Sequence, residues 1–318
     1  MFGARDKVSP KQKKIRRIIT VCAVVVCLLI ELLGRVPGWA FKGWSDVFAW
    51  FGMPQAKLID ADELQVHFIN VGNADCILVR QGEYAMLIDA GEVQHGDMLL
   101  DYLHRHDVDQ LDLVIATHPH SDHMGSMSTI AAHIPIQRFV ISYQPDDEAY
   151  GGWMYTSIID HLKEHGAQID QAQAGTVYEL GTAQVQILSP SAQEYEVDDE
   201  NEMSIVARLT FGEHSFLFTG DTIMDAEARM LEDGYTLKSD VLKVAHHGSK
   251  TSTSPAFLKA VSPEYAVFSC GDNDYGHPNA DVMERVYEVG AQVYRTDEDG
   301  NVIFISDGST FSVRTDGV

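Results

Sequence analysis

The segment His118-Pro-His-Ser-Asp-His123 constrains this chain more than any other. It sets three imidazoles and one carboxylate within six residues, directly after the apolar run Leu111–Thr117, which reads as a buried strand. Neutral imidazole and carboxylate are ligands that Zn²⁺, Mn²⁺ and iron accept. Extended backbone points side chains i and i+2 to one face, so His118 and His120 can hold one metal. After the turn, Asp122 and His123 can face a second. The ordinary alternative is a polar surface loop, and four ligand-type residues at a strand end argue against it.

The rest of the body alternates strand and helix patterns. Gln65–Val71, Asp75–Arg80 and Tyr84–Asp89 read as strands, with Gln81–Glu83 as the turn between the last two. Asp97–His106 reads as a helix, and Ile158–His165 as another that ends at Gly166. The stretch Cys76–Gly91 is echoed by Ile205–Asp221. Each is strand, Gly-Glu turn, strand, then Asp beside Gly. Each is followed by a helix and a second strand ending in histidine, at His118 and at His246. Two such halves packed face to face, helices outside, bring both histidine-bearing strand ends to one edge.

Charge separates the N-terminus from the body. Residues 1–17 carry seven Lys/Arg against one acid, and the remainder 16 against 46, within a chain of net charge −24. So acidic a body repels phosphate backbones over most of its surface, which disfavours strong duplex DNA binding. The basic segment precedes an apolar run over residues 18–34, ~17 residues that span about 25 Å as a helix. Trp39, Phe41, Trp44, Trp50 and Phe51 follow as an aromatic belt would. This predicts a single-pass transmembrane anchor, a cytoplasmic residue 1–17 segment, a juxtamembrane linker over 35–62 with a short amphipathic helix at Trp44–Phe51, and an extracytoplasmic body over 63–318. The rival reading, a cleaved signal peptide, lacks a small-x-small cleavage site after the run. Cys76 and Cys270 read as two buried core thiols rather than a disulfide, a pairing that sequence leaves open.

At the histidine cluster the chain resembles the metallo-β-lactamase superfamily, whose fold is a four-layer αββα sandwich of α/β class. Phe218-Thr-Gly-Asp221 is similar to the strand whose Asp bridges the metals, and Leu87–Gly91 to the strand carrying a supporting Asp. Lys243-Val-Ala-His-His-Gly-Ser249, Tyr275-Gly-His-Pro278, Asn201–Ser204 and Tyr294–Asp297 resemble the branch containing the hydrolase domain of ComEC-type competence proteins. Choline-phosphate esterases share the His-His-Gly-Ser element. The resemblance implies two divalent cations, Zn²⁺ first and Mn²⁺ as the alternative, held by His118, His120, Asp122, His123, Asp221 and His247. It implies Asp122, His246 and His277 as catalytic residues, with His246 reaching substrate or acting as general acid. The order of His246 and His247 in these roles stays open to a swap. Lactamases and glyoxalases carry a further ligand histidine between the first cluster and the bridging Asp. Here that interval offers only His133, His161, His165 and His214, which read as surface residues.

The expected activity is hydrolysis of an ester, most readily a phosphodiester or phosphoester, by a metal-bridged hydroxide. Candidate substrates are a small molecule, a wall polymer, a lipid head group or single-stranded DNA. The competing readings are a β-lactamase or lactonase, which the absent histidine disfavours, and a non-catalytic metal-stabilised binding module.

Overall fold

A computed structural model of the chain describes residues 60, 62–142, 152–191 and 199–317, with 152–154 as backbone only. The expected basic segment, transmembrane anchor and Trp44–Phe51 helix lie outside the described residues, as does nearly all of the linker. No helix among the described residues is long and apolar enough to cross a membrane.

The chain runs β1 (Leu64–Phe68), β2 (Ile77–Gln81), β3 (Tyr84–Ile88), α1 (Gly96–Arg105), β4 (Leu111–Ala116), α2 (Ser121–Met124), α3 (Met127–His133), β5 (Ile136–Ile141), α4 (Gly152–His165) and β6 (Gln168–Gln171). Then follow β7 (Val177–Leu180), β8 (Ala183–Ser189), β9 (Val206–Phe211), β10 (His214–Phe218), α5 (Met224–Asp233), β11 (Val241–Lys243), α6 (Pro255–Val261) and β12 (Tyr265–Phe268). The last elements are α7 (Ala280–Glu288), β13 (Gln292–Arg295), α8 (Thr296–Asp299), β14 (Val302–Ser306) and β15 (Phe311–Thr315). One sheet has the order β15-β14-β1-β2-β3-β4-β5-β6, the other β13-β12-β11-β10-β9-β8-β7.

Strand alternation makes the layers. In β2 and β3, Ile77, Val79, Met86 and Ile88 face the inter-sheet core, where they meet Phe216 and Phe218 of β10. Their neighbours Leu78, Ala85 and Leu87 face the opposite way, against Leu99 and Leu103 of α1 and Ile130 of α3. Leu217 and Leu242 in the second sheet likewise face Met230 of α5, Phe257 of α6 and Val286 of α7. The central strands thus bury both faces, and the result is the expected helix–sheet–sheet–helix stack. At about 1.5–3 kcal/mol for each fully buried large apolar side chain, the inter-sheet layer is a major stabilising element.

The sequence echo is a structural one. The β2–β3 and β9–β10 hairpins both turn at a left-handed glycine, Gly82 (φ 58°) and Gly212 (φ 57°). Each hairpin then pairs in parallel with the next strand, β3 with β4 and β10 with β11. Parallel pairing aligns the C-terminal ends, so the segments after β4, β10 and β11 emerge on the same side of their sheets. Strand β1 is shorter than the expected Gln65–Val71, because the chain leaves the sheet and turns at Gly72 (φ 74°). Helix α4 starts at Gly152, earlier than expected. Cys76 and Cys270 are both buried and free.

Candidate metal centre

Three strand ends converge here. The segment after β4 brings His118, His120, Asp122 and His123; the end of β10 brings Asp221; the turn after β11 brings His246 and His247. Single donor atoms of Asp122, His123, Asp221 and His247 all lie within 4.8 Å of one another. His123 Nε2 is 3.3 Å from Asp221 Oδ1 and 3.7 Å from Asp122 Oδ2. His247 Nε2 is 3.3 Å from Asp122 Oδ2 and 3.5 Å from Asp221 Oδ2. His118 Nε2 and His120 Nδ1 lie 2.9 Å apart, with the His118 and His123 rings 4.1 Å centre to centre. His246 Nε2 is 3.5 Å from Asp221 Oδ2. Every residue expected at the site from the sequence is brought here, His277 included: its ring is 5.5 Å from that of His246.

Backbone conformation sets this geometry. His246 (φ 52°, ψ 47°) and His247 (φ 53°, ψ 19°) are both left-handed, an arrangement that costs roughly 1–2 kcal/mol per non-glycine residue. The turn is held by the His246 N–H, which donates to the Gly220 carbonyl (3.1 Å), and by the Asn279 N–H on the Gly248 carbonyl (2.9 Å). His277 is placed by Asn273, whose Oδ1 accepts the His277 N–H (3.0 Å) and whose Nδ2 donates to the His277 carbonyl (2.7 Å).

Outer contacts decide which nitrogen of each ring faces the centre. His123 Nδ1–H donates to Asp89 Oδ2 (2.8 Å), and Asp89 in turn accepts the Thr117 N–H and hydroxyl (2.8 and 2.7 Å). His247 Nδ1–H donates to the Ser269 carbonyl (2.8 Å). Both rings therefore present Nε2 inward. A carboxylate oxygen of Glu200 sits 3.1 Å from His120 Nε2, leaving Nδ1 to face His118.

Three residues outside the set expected from the sequence also contribute. Asp75 is buried, its Oδ2 paired with Lys243 Nζ. Lys243 is wholly buried, donates to the Gly220 carbonyl (3.1 Å) and lies 3.9 Å from Asp221 Oδ1. Glu200 is the third. The Asp in the loop before β2 and the Lys inside a buried strand were visible as residues, but only tertiary pairing joins them. A buried lysine is itself a signal, since such a charge needs a partner. His133 and His165 are exposed and His161 is half-buried. His214 departs from the surface reading: it stacks on Phe311 (3.7 Å) and bonds Ser306 Oγ (2.6 Å), because β10 brings it against β14 and β15. Ser249 bonds Thr251 within its own turn (2.9 Å).

Electrostatics give the site its character. Four carboxylates, Asp75, Asp89, Asp122 and Asp221, gather about His123 and His247, and the ammonium of Lys243 pairs with Asp75 and lies 3.9 Å from Asp221. Burial would push the His247 imidazole down, but the carboxylates of Asp221 and Asp122 close to its Nε2 lift it to about 10. His123 is likewise raised against burial, by Asp221, Asp122 and Asp89. Asp221 is held well below the usual carboxylate range despite burial, through His247 and His123. Burial lowers His118, and the charge of His123 lowers it further. His277 falls to about 4 through burial and then the neighbouring His246 and His247.

The donors fit divalent cations. His123 Nε2, His247 Nε2 and Asp221 Oδ1 are buried and make no hydrogen bond, although all three point into the same space. Buried polar atoms are ordinarily paired, and an imidazole–carboxylate cage of net negative charge suits a cation better than any neutral group. A second grouping, Asp75, Asp89 and His123, lies behind the first. Lys243 and Thr117 already engage its carboxylates, so it serves as the support for His123. The centre opens into a groove of about 550 Å³ lined by His120, Asp122, Asn201, Asp221, His246, His247, Tyr275 and His277, among others.

Comparison with known proteins agrees. ComE operon protein 3 of Bacillus subtilis is 30% identical over 267 residues, 76% of this chain and 33% of that protein. Competence protein ComA of Neisseria gonorrhoeae is 33% identical over 290 residues, 90% of this chain and 38% of that protein. The chain thus spans about a third of the length of these relatives. The solved metallo-beta-lactamase fold protein YhfI of Bacillus subtilis superposes with a TM-score of 0.51 at 13% identity, covering 77% of this chain and all of that one, a likeness of fold alone. A family model described as the metallo-beta-lactamase superfamily matches residues 69–272, well over half of the sequence, and the chain belongs to that superfamily.

Proposed function

We propose that this protein is a membrane-anchored, extracytoplasmic hydrolase that cleaves phosphoesters, phosphodiesters foremost, with two divalent cations. The observation that carries the reading is the set of three buried, unbonded donor atoms, on His123, His247 and Asp221, that face one another across the seam of the two halves. His118 Nε2 and His120 Nδ1 would hold one cation; Asp122, His123 and His247 would hold the other; Asp221, beside His123 and His247 and within electrostatic reach of His118, would serve both. Such cations supply Lewis acidity toward a phosphoryl oxygen and a water that ionises near neutral pH.

The chain's own groups do the rest. Asp89 and Ser269 fix the tautomers of His123 and His247, so neither ring must reorient during turnover. Burial lowers His246, which keeps the ring neutral at pH 7. A neutral imidazole at the groove wall suits hydrogen bonding to a phosphoryl oxygen, and His277 beside it offers a second such ring toward the leaving group. Lys243 balances part of the negative charge beneath the centre without reaching the groove.

The acidic body favours a small or locally presented ester over long duplex DNA. Residues 18–34 and the basic segment before them support the anchor and its orientation. The similarity to proteins named for competence supports single-stranded DNA as one substrate to assay, beside lipid head groups and wall polymers. The test is a hydrolysis screen of metal-loaded protein on bis(p-nitrophenyl) phosphate, p-nitrophenylphosphocholine, nitrocefin and labelled single-stranded DNA. Turnover of at least one phosphoester with none of nitrocefin is expected. Nitrocefin turnover alone, or no turnover by fully metallated protein, refutes the phosphoester reading.

A further inference from the structure

We infer that Asn201 supplies, through its side-chain oxygen, the missing protein donor to the cation held by His118 and His120. The inference rests on the two-cation reading above and adds a ligand to it.

The pair His118 Nε2 and His120 Nδ1 offers two nitrogens 2.9 Å apart. Their remaining ring nitrogens are engaged elsewhere, His118 Nδ1 with the Thr117 hydroxyl (3.1 Å) and His120 Nε2 beside the Glu200 carboxylate (3.1 Å). With Asp221 shared between cations, the first position has three protein donors at most, one of them divided. No histidine between His123 and Asp221 lines the groove. His133 bonds the Thr129 carbonyl of its own helix, and His214 is stacked on Phe311.

Asn201 does line it. The residue is 7% exposed, and its Oδ1 is buried with no hydrogen-bond partner. Its backbone is already satisfied: the N–H donates to Asp199 Oδ1 (3.0 Å) and the carbonyl accepts the Ser204 N–H (3.1 Å). The side-chain oxygen is left over, in a groove that His120 and Asp221 also line. The turn that carries it, Glu200–Met203, is tied on both sides of the centre. The Ile205 N–H donates to the Thr117 carbonyl (3.0 Å), next to His118, and the Asp221 N–H donates to Ser204 Oγ (3.2 Å). These ties, made just after the turn, bring it alongside the two segments that would hold the first cation. An amide oxygen is a harder donor than imidazole, of the kind that suits Mn²⁺. The substitution of an amide for a histidine therefore moves the first position toward Mn²⁺ relative to Zn²⁺.

The test is equilibrium dialysis of the full chain in detergent against Zn²⁺ and, separately, Mn²⁺, with bound metal counted by mass spectrometry and folding checked by circular dichroism. Wild type is expected to bind two equivalents. Asn201→Ala should keep one tight equivalent and weaken the other on the order of 10–100-fold, at least the loss seen when a metal ligand's supporting partner is removed. Combining it with His120→Ala should weaken that same equivalent little beyond His120→Ala alone. Asn201→Asp, which keeps an oxygen at the same reach, should hold the first cation at least as tightly as wild type. Unchanged binding of both equivalents by Asn201→Ala overturns the inference, as does additive loss in the double variant. If Asn201→Ala does not fold, weaker binding by Asn201→Asp overturns it. Fewer than two equivalents in wild type overturns the two-cation reading itself, and this ligand with it.

Discussion

At the scale of single residues the site is a cage of charges that need cations or protons. His247 is the clearest case, lifted to about 10 by the carboxylates of Asp221 and Asp122 against the opposing effect of burial. In metal-free protein it is therefore protonated at pH 7, and a cation must expel that proton to bind. Metal affinity should rise about tenfold per pH unit for each such proton between pH 7 and 10. Calorimetric titration in buffers of different ionisation enthalpy will report the released protons; affinity flat across that range would contradict the assignment. The same shift bears on stability. A pKa raised in the folded state stabilises below the ordinary value of 6.5 and loses its contribution as pH climbs through about 10. Chelated protein should accordingly melt lower at pH 10 than at pH 7, other groups being equal. Asp221 touches His123, His246 and His247 together. Asp221→Ala should lower kcat by about 10³-fold or more while far-ultraviolet dichroism stays unchanged, since several kcal/mol of charge stabilisation go with it. Asp89→Asn leaves His123 with a weaker acceptor, and should cost about 10–100-fold in metal affinity, read by competition with a chromophoric chelator.

At the scale of elements, the two hairpin-plus-parallel-strand units explain why distant segments meet, and most of this was legible in the sequence. The His118–His123 cluster announced itself because its ligands are adjacent, and the Gly-Glu turns at Gly82 and Gly212 marked equivalent hairpins. What was not legible depends on pairing between elements. Nothing local ties Lys243 to Asp75, or Glu200 to His120; those contacts exist only because the start of β2, the ends of β4 and β11 and the turn before β9 meet at a common seam. His214 packs on Phe311 for the same reason, its partner strands lying far along the chain. Phe218 tests the mechanical link between packing and site. It is buried between the sheets against Phe68 and Phe216, three residues before Asp221. Phe218→Ala should destabilise by about 3–5 kcal/mol in chemical denaturation. A loss below about 1 kcal/mol would mean that the inter-sheet layer does not hold this strand end in place.

At the scale of the whole molecule, the αββα stack presents three strand ends to one groove, and the acidic body surrounds that groove with a field that attracts cations. The fold is shared with distant proteins such as YhfI, so fold alone says little of substrate; the donor set and the groove say more. The most direct measurement is anomalous diffraction from crystals of the protein grown with Mn²⁺ or Zn²⁺. Two peaks about 3.5–4 Å apart are expected, one between His118 and His120, the other among Asp122, His123 and His247, with Asp221 between them. Anomalous signal absent from this seam, or confined to sites that Asp221 does not reach, would contradict the account at its base.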